Sequence, residues 1–281
     1  MNKYLKILVA VDGSDASLHA LRETLGLTGS CITVVSVIPP YEGDLRLVGV
    51  HNIQALMREP CEVALAKAKN MAEAEGAFIK TVCEVGEPHI SIADLAEGEN
   101  CDLIVMGVRG QSLVQHALLG SITARVIGYS QKDILVVPQG AAIGWDKMLL
   151  AADGSKHSRA AAERALDLAE AYGAELIAVS VQDLPVSIYG VAPELAESMI
   201  QKQRGFVDEI KKLAEARRIR CTGLVREGEA HQVVLTLAQE HKASLIVMGS
   251  HGRTGIRRLL MGSVTERVIC HSGCPVLVVK V

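Results

Sequence analysis

The feature that most limits what this chain can fold into is an internal repeat. Residues 105–126, VMGVRGQSLVQHALLGSITARV, match residues 247–268, VMGSHGRTGIRRLLMGSVTERV, at 10 of 22 positions without a gap. Around them the spacing holds: Asp12 and Asp153 are 141 apart, Val37 and Val181 are 144 apart, and Gly107 and Gly249 are 142 apart. Offsets this constant point to tandem duplication. A chain of 281 residues is long enough for two domains that each bury a core. The stretch QGAAIGWDK between the halves has small residues and places the boundary near Gly140 to Gly144, which predicts domains of 1–140 and 145–281.

Each half alternates short apolar runs with stretches of helical periodicity. In the first, LKILVAVDGS, CITVVSVI, AFIKTVCEV, DLIVMG and DILVVP read as strands. Between them lie helices through Leu18 to Leu27, about Ile53 to Glu75, the PHISIADLAEG segment and SITARVIGYS. The second repeats the order from KMLLAADGS to PVLVVKV, with helices predicted at about Pro193 to Arg217 and Ala230 to Glu240. Strands that are near-continuous apolar runs belong in parallel sheets covered on both faces. The expected fold class is therefore α/β, with two tandem doubly wound five-stranded parallel-sheet domains.

A formal charge of −3 and a pI near 6.3 supply no surplus of Lys and Arg for nucleic acid or anionic lipid, so neither is expected as a partner. No segment approaches membrane-spanning length, and the first apolar run is too short for a secretory core, which makes a cytoplasmic protein the expectation. Seven cysteines scattered without a framework suit a reducing compartment in which thiols act as small core residues. The CHSGCP segment at Cys270, His271 and Cys274 lacks a second Cys/His pair nearby, so no metal site is expected there.

The repeated segment carries the chemistry. Gly107, Gly110 and Gly120, like Gly249, Gly252 and Gly262, remove Cβ where backbone N–H groups can converge on an anion. Ser121 and Ser263 stand where a helix begins, its amides unpaired and its dipole positive, so a phosphate placed there gains charge-assisted bonds. Glycine turns and serine caps alone would explain one such loop, but the same spacing occurs in both halves. A P-loop is excluded, because no lysine lies between Gly107 and Ser121 or between Gly249 and Ser263. The first turns, DGSDAS and DGSKHS, lack a dinucleotide fingerprint. If strand one lies beside strand four at a point where strand order reverses, Asp12 faces the Gly107 loop and Asp153 the Gly249 loop. A carboxylate there accepts ribose hydroxyl protons, or else caps the following helix.

The pattern Gly, two residues, Gly, nine residues, Gly-Ser, together with VDGS or ADGS after strand one and the closing CPVLVVKV, resembles the universal stress protein family in its tandem form over nearly the whole chain. The resemblance implies the adenine nucleotide alpha-hydrolase-like fold. It also implies a bound adenine nucleotide, ATP or its ADP or AMP relatives with Mg2+, and a role as a nucleotide-dependent stress-response regulator. By position it implies one site of Asp12, Val37, Gly107, Gly110, Gly120 and Ser121, and a second of Asp153, Val181, Gly249, Gly252, Gly262 and Ser263. In such proteins the two halves pack as a pseudo-dimer; association into a homodimer and a regulatory protein partner are left open by the sequence.

The halves differ within the nine-residue loop. Arg253, Arg257 and Arg258 offer guanidinium groups to phosphate oxygens where the first half has Gln111, Gln115 and His116, which predicts tighter and more salt-sensitive binding in the second domain. No nucleophile, base and orienting group stand together, so efficient turnover is not expected, although slow ATP hydrolysis is compatible. The alternatives are an interaction scaffold with structural glycine loops and a weak adenine-nucleotide hydrolase.

Overall fold

The computed structural model describes residues 3–40, 53–109, 119–183, 192–252 and 261–281. They divide into two compact units, Asn2–Gly140 and Ala141–Val281, called domains 1 and 2 below.

Domain 1 runs β1 (Lys6–Ala10), α1 (Asp15–Leu25), β2 (Cys31–Ile38), α2 (Ile53–Ala74), β3 (Ile79–Val85), α3 (Pro88–Gly98), β4 (Leu103–Gly107), α4 (Ser121–Tyr129) and β5 (Asp133–Val137). Its strands are parallel in the order β3-β2-β1-β4-β5. Ile7, Leu8 and Val9 of the central strand are fully buried, as are Leu103, Ile104 and Val105 beside it, because helices cover both faces of the sheet. Full burial of one such side chain contributes roughly 1.5–3 kcal/mol, and this explains why β1 and β4 read as near-continuous apolar runs. Tyr4 and Asp133, both buried, join the start and end of the domain through a 3.0 Å hydrogen bond from the phenol to the carboxylate. At the edge, Lys80 of β3 pairs with Glu99, which also accepts from Thr33 Oγ1 at 2.8 Å. That pairing holds the Glu99 carboxyl below its ordinary value, chiefly through the Lys80 hydrogen bond.

Domain 2 repeats the plan: β6 (Lys147–Ala151), α5 (Lys156–Tyr172), β7 (Glu175–Gln182), α6 (Pro193–Ala216), β8 (Cys221–Glu227), α7 (Ala230–Glu240), β9 (Leu245–Gly249), α8 (Ser263–His271) and β10 (Val276–Val279). The parallel order is β8-β7-β6-β9-β10. In both domains the chain winds outward through three strands, then returns to the other side of the first. Strand order thus reverses between β1 and β4, and between β6 and β9. Crevices at the carboxyl ends of strands open at such points.

One expectation is corrected. Cys61 of α2 and Cys83 of β3 are joined as a disulfide with their Cα atoms 6.4 Å apart, so the cysteines are not all thiols. The helix crosses its own edge strand closely enough for the bond, a separation within the usual range. Cys101 is free and buried, and burial, with Glu99 and Asp102 nearby, pushes its thiol up to about 11.

Candidate functional site

The turn after the first strand of each domain positions an acid. Ser14 caps α1 by accepting from Ser17 N, and Ser155 caps α5 by accepting from Ser158 N at 3.2 Å. The preceding acids are therefore not the helix caps. Asp12 Oδ1 accepts from Ser14 N at 3.0 Å and from Ser14 Oγ at 2.6 Å; Asp153 Oδ1 accepts from Ser155 N at 2.9 Å. Both carboxylates are thus oriented by the serine two residues on, and both are half-buried.

The glycine loops are pinned at their bases. A Cβ on Gly107 would lie 2.9 Å from the carbonyl carbon and oxygen of Ala16, and one on Gly249 would lie 2.7 Å from the carbonyl carbon and Cβ of His157. The first glycine of the motif therefore lets the fourth strand end against the first turn of α1 or α5. Gly120 N donates to Val108 O, and Gly262 N to Ser250 O, each at 2.9 Å. Thr123 Oγ1 reaches back to Gly107 O at 3.1 Å, and Thr265 Oγ1 to Gly249 O at 3.0 Å. The two threonines were not singled out in the sequence, yet the pattern Gly-Ser-x-Thr at GSIT and GSVT was there to be read.

What the pins leave is the start of the next helix. Among the described residues, Gly120 and Gly262 occupy the cap positions of α4 and α8 without a side-chain hydrogen bond, and Ser121 and Ser263 are exposed in the first turn. The first amides of a helix have no intrahelical acceptor, so these termini present N–H groups and positive dipole ends. Gly110, Arg253, Arg257, Arg258, Gln111, Gln115 and His116 lie outside the described residues.

In domain 2 the pieces face one cavity of about 550 Å³, within the size range of small-molecule sites. Asp153, Val181, Gly249, Gly252, Gly262 and Ser263 line it. Asp153 and Gly252 are brought together: a Cβ on Gly252 would sit 2.8 Å from Asp153 Oδ2. His251 also lines the cavity, with Nδ1 3.2 Å from Ser250 Oγ and its ring centroid 5.3 Å from that of His157. Burial first, then the His251 imidazole, Lys280 and Lys156, hold His157 below its ordinary pKa against the opposing pull of Asp153. In domain 1, Val37 occupies on β2 the place that Val181 occupies on β7, and is likewise half-buried.

An acid at the end of the central strand, a glycine loop pinned at its base and a glycine at the next helix cap, each present in both halves, define a tandem parallel α/β protein. The model of the universal stress protein family matches residues 3–138 and again 144–280, and the chain belongs to that family. It is 28% identical to a universal stress protein of Mycolicibacterium smegmatis over 291 residues, covering 98% of this chain and 96% of that one. A universal stress protein of Methanocaldococcus jannaschii is 36% identical over 141 residues, 48% of this chain and 82% of its own length. The crystal structure of a universal stress protein from Archaeoglobus fulgidus superposes with a TM-score of 0.75 at 25% identity, covering 98% and 96% of the two chains. Among the described residues no helix is long and apolar enough to cross a membrane, and no group of three His, Cys, Asp or Glu side chains is arranged to hold a metal ion.

Proposed function

We propose that the chain binds adenine nucleotide, ATP above all, and acts as a nucleotide-dependent regulator of the stress response, with hydrolysis at most slow. One observation carries the reading: the Asp153 carboxylate stands against Gly252, at a cavity that also takes in the start of α8. A carboxylate beside a glycine, at a cavity that also takes in the start of a helix, suits a ribose followed by phosphates. Asp153 would accept ribose hydroxyl protons, and the amides at Ser263 would meet phosphate oxygens. Asp12 and Ser121 would do the same in domain 1, completed by Gly110 there and by Arg253 in domain 2. Bound Mg2+ would neutralise phosphate charge.

Occupancy would act by changing which surfaces a regulatory protein meets. A ligand that binds only the folded state at a hundredfold excess over Kd adds about 2.7 kcal/mol. For domains of this size that is a rise in melting temperature of roughly 5–10 °C. A melting curve with and without Mg-ATP tests the reading. The rise supports it, whereas unchanged curves at millimolar ATP would favour an interaction scaffold.

A further inference from the structure

The disulfide between Cys61 and Cys83 has one half that solvent reaches and one that it does not. Cys83 lies on β3, the outermost strand in the domain 1 order, and is exposed, whereas Cys61 of α2 is 3% exposed. A small thiol therefore meets the bond at Cys83 and leaves Cys61 as the departing group. Exposed disulfides exchange more readily than enclosed ones, because exchange needs a thiolate to reach one of the two sulfurs. The reduced state is provided for as well: Cys61 Sγ lies 3.5 Å from Ser36 O, an acceptor for the thiol hydrogen once the bond is broken.

The bond ties α2 where the helix's own hydrogen bonding is interrupted. Pro60, the residue before Cys61, sits inside α2 and has no N–H to donate to the preceding turn. Cys83 stands opposite Ser36 in the β2–β3 register, so the link fastens the first half of α2 over the two outer strands of the domain. Domain 2 has no cysteine at either position. Gln203 matches Cys61 and Val225 matches Cys83, both at the offset of 142, and Val225 stands opposite Ser180 as Cys83 does opposite Ser36.

We propose that Cys83 is a site of reversible thiol–disulfide exchange with a low-molecular-weight thiol of the glutathione class, and that the exchange releases or refastens α2 in domain 1 alone. In the reducing direction the small thiolate attacks Cys83 Sγ, the bond between the two cysteines breaks, and Cys61 leaves as a thiolate that takes up a proton. A second small thiolate then attacks the small-thiol sulfur of the mixed disulfide, so that Cys83 leaves and is protonated and the two small thiols depart joined as their own disulfide. The reverse sequence, driven by that small disulfide, reforms the link. The test uses the full chain equilibrated in glutathione buffers of graded ratio, quenched by alkylation and mapped by peptide mass spectrometry. The peptides holding Cys61 and Cys83 should pass reversibly between linked and separately alkylated forms while circular dichroism shows the protein folded, and within the pair glutathione should be found on Cys83 only. Cys61→Ser should accumulate that mixed disulfide, whereas Cys83→Ser should leave Cys61 unmodified. The melting temperature of domain 1 should lie at least about 5 °C lower in the reduced protein than in the oxidised one. A pair that stays linked in excess reduced glutathione until the protein unfolds, a pair that never links, glutathione on Cys61, or equal melting temperatures in the two states would overturn the proposal. Mapping and melting of the unsubstituted protein decide the matter even if a serine variant fails to fold, and neither depends on nucleotide.

Discussion

Domains 1 and 2 share the residues that build the crevice and differ in those that stand around it. The strand-one acid with its orienting serine, the close-packed glycine at the end of the fourth strand and the threonine that reaches back to it recur with similar distances. Around that frame, Ala16 is matched by His157, Arg109 by His251, Ile38 by Gln182 and Cys61 by Gln203. Framework positions are fixed by close packing, where a Cβ or a missing hydroxyl would break the loop's base. Positions outside that close packing are free to diverge after duplication: His157, Gln182 and Gln203 bring polar side chains to domain 2 where domain 1 has Ala16, Ile38 and Cys61, while Arg109 and His251 are ionisable in both.

The largest effect on which that contrast can break is loss of the acid. Asp153→Ala should weaken ATP binding to domain 2 by about 10- to 100-fold, the scale of removing a charged hydrogen-bond acceptor. Asp12→Ala should spare that step and affect only the other, and calorimetry on both variants checks it. Equal losses at both steps from either variant would show that the domains do not bind separately.

A smaller effect is expected from the loop arginines. Arg257→Ala and Arg258→Ala should each lower domain 2 affinity a few-fold and flatten its dependence on salt, if these side chains pair with phosphate as the sequence predicts. Titrations at low and high ionic strength measure this. An unchanged salt slope would mean that the predicted asymmetry has another source.

The smallest effect concerns pH. His157 in the folded protein lies below its ordinary value, so between that lowered pKa and the unfolded value near about 6.5 the unfolded chain holds more protons. The contribution to stability is complete above about pH 6.5 and is lost as pH falls through it towards the folded pKa. His157→Ala, which installs the domain 1 residue, should flatten the fall in domain 2 melting temperature between about pH 7.5 and 5.5. A fall of the same steepness in the variant would assign the acid sensitivity elsewhere.

Much of this architecture was legible because each half is locally consistent. Buried strands announce themselves as apolar runs, and α7 begins at Ala230 and ends at Glu240 as its periodicity predicts. The meeting of β1 with β4, and of β6 with β9, follows the reversal rule for open parallel sheets. The long-range contacts were not legible. Cys61 and Cys83 are 22 residues apart on a helix and a strand, with no local spacing that marks them as partners. Gln203 sits in a polar stretch, QKQR, which reads as a solvated helix face until the packing of α6 shows it buried. The glycines were legible as a motif but not in their separate tasks: Gly249 yields space to His157, Gly262 donates back to Ser250, and Gly252 leaves room for the Asp153 carboxylate.

That last contact allows the most direct test. Gly252→Val would drive a side chain into the 2.8 Å approach to Asp153 Oδ2, at an exposed loop position where the fold itself has little to lose. Calorimetric titration of Mg-ATP should show the domain 2 step in the unsubstituted protein and a loss of at least about tenfold in the variant, with the ligand-free melting temperature unchanged. ATP binding of equal strength in the two proteins, or none in either, would contradict the account.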